Sequence, residues 1–162
     1  MKIVLPILVF GLLAGSAKAA DSDDQLPPPS EGKTWKLVWH DEFDGDKLDD
    51  SKWDVPDHKR RDGWLHWDGY GKEHKSEGKV ASVPGVMEGW HTFALLWKAD
   101  EYVFYVDGKE TWRTKAGGVC QVPLYIKLSD EIGDWGGDII KAKLPDKFLV
   151  DYVRVYDAVQ KQ

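Results

Sequence analysis

Tyr102-Val103-Phe104-Tyr105-Val106-Asp107-Gly108-Lys109-Glu110-Thr111-Trp112-Arg113-Thr114 is the stretch that decides the fold class. Five β-branched or aromatic residues run up to Asp-Gly, and six residues of strand character follow it. Asp-Gly suits the two positive φ angles of a type I′ turn, whose twist matches that of the flanking strands. The stretch therefore predicts a β-hairpin. On its N-terminal side, His91 to Trp97 reads as a further strand. On its C-terminal side, Val122 to Leu128 and Phe148 to Tyr156 read as two more. In the last of these, Leu149, Asp151, Val153 and Val155 alternate with Val150, Tyr152, Arg154 and Tyr156, the period of two that places alternate residues on opposite faces.

The same pattern opens the ordered part of the chain. Trp35-Lys36-Leu37-Val38-Trp39 alternates and predicts a strand, and Asp41 to Trp53, rich in carboxylates around Gly45, reads as a loop. Between residues 54 and 88 the pattern is poor, and only Trp64 to Trp67 has strand character. No long stretch shows helical periodicity. Strands at this spacing predict an all-β sandwich.

Composition narrows the function. The 162 residues include nine Trp, one Cys and a formal net charge of -6. An acidic balance argues against nucleic acid as a partner. The short basic run Lys59-Arg60-Arg61 does not change that. One cysteine excludes an internal disulfide and a cysteine-clustered zinc site, and Cys120 reads as a small buried hydrophobe. The five histidines show no metal spacing, and there is no G-x-S-x-G, phosphate loop or dinucleotide fingerprint.

Residues 1–19 read as a secretory signal peptide. Lys2 precedes an apolar run from Ile3 to Leu13, and Ala17-Lys18-Ala19 is a cleavage site of the A-x-A kind. The run is shorter than the roughly 18–20 residues needed to cross a bilayer. A secreted or periplasmic protein is expected, with no membrane contact after cleavage. Residues 20–34, with three consecutive prolines, read as a flexible linker.

Two groups of residues suit sugar chemistry. Asp130-Glu131-Ile132-Gly133-Asp134 stands beside Trp135-Gly136-Gly137. An indole face packs on sugar C–H groups while a carboxylate accepts from hydroxyls. Trp64, Trp67, Trp112 and Trp135 are placed for a surface or cleft role, whereas Trp35, Trp39, Trp90 and Trp97 lie on strand patterns that suit a core. Glu42, Asp44 and Asp46 alternate, and read as solvated loop acids or a Ca²⁺ contact.

Several of these motifs resemble glycoside hydrolase family 16 in the same order along the chain. They are Trp35-Lys36-Leu37-Val38-Trp39-His40-Asp41-Glu42-Phe43-Asp44-Gly45 with Leu48-Asp49 and Ser51-Lys52-Trp53; Trp90-His91-Thr92-Phe93 with Trp97; the hairpin to Gly108; and Val150-Asp151-Tyr152-Val153-Arg154-Val155-Tyr156. The resemblance covers residues 35–157. It implies a concanavalin A-like β-jelly-roll sandwich and retaining hydrolysis of β-glucans or galactans. It implies no required cofactor, but a structural Ca²⁺ that would fall on Glu42 and Asp151. Substrate contacts would fall on His66, Trp67, Glu131 and Trp135.

The departure from the family pattern bears on activity. The family's active strand carries E-x-D-x-x-E, which sets a nucleophile and an acid/base carboxylate about 5–5.5 Å apart. Neither that motif nor E-x-D-x-E occurs in this chain, so no catalytic residue is assigned. Trp53 to Gly63 resembles the family's N-terminal region. Leu65-His66-Trp67-Asp68-Gly69-Tyr70-Gly71 resembles the segment just after the active strand. The expectation is an incomplete domain with a deletion junction near 63–65, inactive on glycans. The alternatives are a non-catalytic carbohydrate-binding sandwich, or hydrolysis by a substitute pair such as Asp130 with Glu131 or Asp134.

Overall fold

The computed structural model describes residues 4–12, 25–54, 65–67, 71–85, 89–128, 138–141 and 148–162. Eight strands follow in chain order: β1 (Val4–Leu12), β2 (Lys33–Asp41), β3 (Leu65–Trp67), β4 (Lys75–Glu77), β5 (Gly89–Trp97), β6 (Tyr102–Val106), β7 (Lys109–Thr114) and β8 (Val153–Gln160). A 3-10 turn, Ile139–Lys141, lies between β7 and β8. No helix among the described residues is long and apolar enough to cross a membrane. The class is all-β and the pairing antiparallel throughout, in keeping with the expected jelly-roll type.

Six strands form one sheet in the order β2-β8-β1-β5-β6-β7, and β3 pairs with β4 alone. The hairpin forms where Asp-Gly predicts it. Asp107 and Gly108 both take positive φ, 50° and 71°. The Asp107 carboxylate then ties the turn to β5: Oδ1 accepts from the Thr92 amide at 2.9 Å, and Oδ2 lies 2.8 Å from Nδ1 of His91. The Asp107 amide donates back to the Thr92 carbonyl at 2.8 Å. Two-sided bonding of this kind sets the register in which Phe93 faces Val106 and Trp97 faces Tyr102.

Cross-strand partners share a face. One face carries Phe93, Leu95 and Trp97 of β5 with Val106, Phe104 and Tyr102 of β6, and Trp112 of β7 opposite Phe104. The other face carries Ala94 and Leu96 with Tyr105 and Val103. On that second face Ala94 packs in a core cluster with Tyr152 and Tyr156, and Leu26, Trp35, Trp90 and Tyr105 surround it. Val103 and Val153 are fully enclosed.

Several boundaries differ from the sequence reading. Val122 to Leu128 has the composition of a strand but no ladder, and Val122, Leu124 and Tyr125 stand exposed. The last strand begins at Val153 rather than Phe148 and runs on to Gln160, because β2 supplies partners as far as Lys33. The expected flexible linker is tied down from Gln25 onward. Leu26 joins the core, and the Trp35 indole donates to the Pro27 carbonyl at 2.8 Å. The apolar run assigned to the signal peptide forms β1.

Asp107 carries the register of the central hairpin, so Asp107→Ala should cost about 3 kcal/mol, the low end for two lost hydrogen bonds to a charged acceptor. Urea unfolding followed by Trp fluorescence measures it. An unchanged midpoint would show that the turn is held by other contacts.

Candidate functional site

The sheet's aromatic face is left concave. A groove of about 490 Å³ runs along it, lined by Trp97, Phe104 and Trp112 from the strands and by Tyr125 from the segment after β7, with Lys79 and Lys127 also lining it. The Phe104 and Trp112 rings stack, with centroids 5.0 Å apart and planes 19° from parallel. A β-bulge sets this up. The β6–β7 register shifts between Phe104 and Tyr105, which inserts Thr111, and bulges re-aim the side chains beside them. The Thr111 hydroxyl donates to the Phe104 carbonyl at 3.2 Å. Its own carbonyl accepts from Lys79 Nζ at 3.3 Å, and Thr114 donates to Glu77 at 3.1 Å. These contacts hold the 71–81 segment against the groove's β7 side.

The deep end of the groove has its polar groups satisfied. Trp97 Nε1 donates to the Cys120 carbonyl at 3.0 Å, and the Tyr102 hydroxyl accepts from the Cys120 amide at 2.7 Å. What remains for a ligand is ring surface: the partly covered Trp97, the Phe104–Trp112 stack, and Tyr125, which is 72% exposed. Flat aromatic surface with cationic side chains beside it suits the C–H faces and hydroxyls of a sugar chain better than a compact charged ligand. Trp97 was expected in the core and lines the groove instead, only partly covered.

A second polar site forms where the two ends of the chain meet. Arg154 of β8 grips Glu42, 112 residues away, with Nε and Nη2 at 2.9 and 2.8 Å from the two carboxylate oxygens. His40 Nδ1 lies 3.0 Å from the same carboxylate. The hydrogen bond from Arg154 holds the Glu42 carboxyl below its usual pKa against the opposing effect of burial, and His40 adds to it. Beside it Asp41, 8% exposed, accepts from the Phe43 amide at 2.9 Å and the Trp53 indole at 2.8 Å. Trp53 is thereby folded between Trp39 and Phe43, and the loop between residues 41 and 53 becomes a closed turn.

Of the residues singled out from sequence, Glu42 and Asp151 are described. Both Glu42 oxygens face a guanidinium, whose charge stands where a cation would sit. No cluster of three metal-ligating side chains occurs among the described residues. His66 and Trp67 lie on β3, paired with Ser76 and Lys75, and only their backbone is described. Asp130, Glu131, Asp134 and Trp135 lie outside the described residues, as does most of the stretch around the proposed junction near 63–65. The groove was signalled only through Trp112, since the ring that stacks on it lies across a turn and a bulge.

The sequence model of glycosyl hydrolases family 16 matches residues 32–154. The chain is 24% identical over 160 residues to the clotting factor G alpha subunit of Tachypleus tridentatus, covering 87% of this chain and 23% of that one. It is 31% identical over 91 residues to a beta-glucanase of Fibrobacter succinogenes, covering 53% of this chain and 26% of the other. It is 35% identical over 75 residues to the keratan-sulfate endo-1,4-beta-galactosidase of Sphingobacterium multivorum, covering 41% and 18%. The matches thus span about a quarter or less of each relative's length. No solved structure matches the chain significantly.

The Glu42–Arg154 pair sets an acid limit on stability. A carboxyl held below its ordinary value of about 4.3 stabilises the fold fully above that value, and the stabilisation fades as pH falls through the lowered one. Glu42→Gln should therefore cost about 1–3 kcal/mol near neutrality, less than a fully buried pair because both side chains keep some exposure. The gap to the parent should close below about pH 4. Thermal melts across pH 3–7 test this, and a gap that stays constant would remove the pair from the account.

Proposed function

The chain belongs to glycosyl hydrolases family 16, and we propose that it is a secreted member that binds a β-glucan or galactan without cleaving it. The observation that carries the reading is the absence from the whole sequence of E-x-D-x-x-E and of E-x-D-x-E, while the flanking motifs are present in order. Retaining hydrolysis needs two carboxyls about 5–5.5 Å apart, one with a raised pKa so that it can donate a proton. The described carboxylates with shifted values, Glu42, Asp49, Glu101 and Glu110, all shift downward, each chiefly through a hydrogen bond from a neighbouring side chain. That is the wrong direction for a general acid.

In this reading a segment bearing the active strand is missing near 63–65. The aromatic groove supplies a binding surface, and the family resemblance adds His66, Trp67, Glu131 and Trp135 as expected sugar contacts. The relatives named as a beta-glucanase and as a keratan-sulfate endo-1,4-beta-galactosidase support the glucan or galactan class. Export follows from the leader-like residues 1–19. A structural Ca²⁺ held by Glu42 and Asp151 would have to displace Arg154 from the Glu42 carboxylate.

Reducing-sugar release from laminarin, lichenan and agarose should stay at background, while affinity electrophoresis in the same polymers should retard the protein. Trp112→Ala should weaken that retardation about three- to tenfold, the equivalent of the 0.5–1.5 kcal/mol of one aromatic contact. Turnover abolished by Glu131→Gln would overturn the reading in favour of a substitute acid. Retardation lost in Trp135→Ala but kept in Trp112→Ala would move the site out of the groove.

A further inference from the structure

We infer that Tyr102 is a positioning residue for the groove: its hydroxyl acts through the backbone of Cys120 to set one of the groove's walls. The inference rests on the sugar-binding reading above. The wall in question is the segment after β7. Leu124, Tyr125, Ile126 and Lys127 line the groove, yet residues 122–128 pair with no strand. Tyr125 is 72% and Leu124 55% exposed. Neither a ladder nor deep burial therefore fixes this side of the groove, and such segments open at little cost.

The wall leaves β7 through Gly117 and Gly118, both at positive φ, 69° and 78°. Glycine takes such angles about as readily as negative ones, so this turn sets the wall's direction only loosely. Direction is restored two residues later. Trp97 and Tyr102 face each other across β5 and β6, and both reach the backbone of Cys120. Trp97 Nε1 donates to its carbonyl at 3.0 Å, and the Tyr102 hydroxyl accepts from its amide at 2.7 Å. Holding both backbone groups of one residue does for the segment what a rung of a ladder would. Gln121 adds an outer tether, its side-chain amide donating to the Ala99 carbonyl at 3.1 Å. Tyr102 itself is buried in β6, which makes it the fixed end of the latch. None of these residues belongs to the expected leader, so the latch is the same with or without cleavage.

Tyr125 lies five residues beyond Cys120, a reach of up to about 17 Å. Slack at Cys120 thus becomes a larger displacement at the exposed ring. An unlatched wall has to be ordered by the ligand, at the expense of affinity. Tyr102 acts on binding by preorganising that wall.

Tyr102→Phe keeps the ring and removes only the hydroxyl. Affinity electrophoresis in whichever of laminarin, lichenan and agarose retards the parent reads the effect. Retardation should weaken about two- to tenfold, the scale of one hydrogen bond. In a Tyr125→Ala background the same change should have less than about a twofold effect, because little of the wall is left to place. In a Trp112→Ala background it should keep its full effect, since that ring stands on β7. A general loss of stability would act equally in both backgrounds. Gln121→Ala, a surface change, should weaken retardation in the same sense. With no sugar present, the Cys120 thiol, whose Sγ lies 3.5 Å from the Val122 carbonyl, should react with an aromatic disulfide about two- to tenfold faster in Tyr102→Phe. Equal effects in the two backgrounds, or a faster thiol with unchanged retardation, would overturn the inference. A parent that no polymer retards would overturn the sugar reading and with it the role of Tyr102 in binding. The thiol rate then still judges the latch: a faster rate keeps it and an unchanged rate removes it.

Discussion

Six strands make one sheet only through the backbone hydrogen bonds of β1. On one side lies β2-β8, which joins residues near the start of the domain to the end of the chain; on the other lies β5-β6-β7, a meander of short connections. Each half forms by different physics. The meander needs only a type I′ turn and cross-strand aromatic pairs, both local. The β2–β8 ladder closes a loop of more than a hundred residues, at an entropic cost that grows slowly with length but is paid before any pairing rewards it. The bidentate Glu42–Arg154 contact, the Asp41-centred turn and the Tyr152–Tyr156 packing are the interactions that offset it. The core cluster then runs from β8 to β5 over the intervening strand, since Ala94 of β5 packs with both tyrosines. Side-chain packing thus reinforces on one face the join that β1 makes in the plane of the sheet.

The legible parts of the fold are those whose pattern is local. Asp107-Gly108 could be read because a turn type dictates its residues, and β5 and β8 could be read because one buried face imposes a period of two. β4 could not. Lys75-Ser76-Glu77 is fully exposed and has no apolar alternation; it is a strand only because β3 is there to pair with it. Val122 to Leu128 failed in the opposite sense. It has alternation but pairs with no strand, and period alone does not make a ladder. Val4–Leu12 is a third case: Lys2 and Ala17-Lys18-Ala19 mark the run as a leader, while its pairing as a strand depends on β5 and β8.

The candidate site was legible in kind rather than in place. The excess of Trp announced aromatic surface, and Trp112 was among the residues set aside for a cleft. Its partner Phe104 and the role of Trp97 depend on the Thr111 bulge and on the hairpin register, which are tertiary facts. Glu42 shows the same limit for charge. As a sequence it is one of three alternating acids that invite a cation; as a structure it has already found one, in a guanidinium contributed from 112 residues away. An acidic cluster reports a demand for positive charge, and an arginine from another strand meets it as well as a metal does.

The separation of fold from chemistry follows from how retaining hydrolysis is built. Two carboxyls about 5 Å apart can be supplied by a single strand, so loss of that one element would remove the reaction at a stroke. Hydrophobic and hydrogen-bonded ladders are distributed, so strands that remained after such a loss could still find partners among themselves. What such a loss leaves exposed is the face the missing strands would have covered. On this chain the open face is aromatic, with Trp97, Phe104 and Trp112 presenting rings to a groove. Rings of that kind serve as core when a second sheet lies over them and as a sugar platform when none does, because packing on aliphatic side chains and packing on sugar C–H faces draw on the same dispersion and desolvation. Binding without turnover is therefore the function we propose for a domain of this family whose sequence lacks E-x-D-x-x-E.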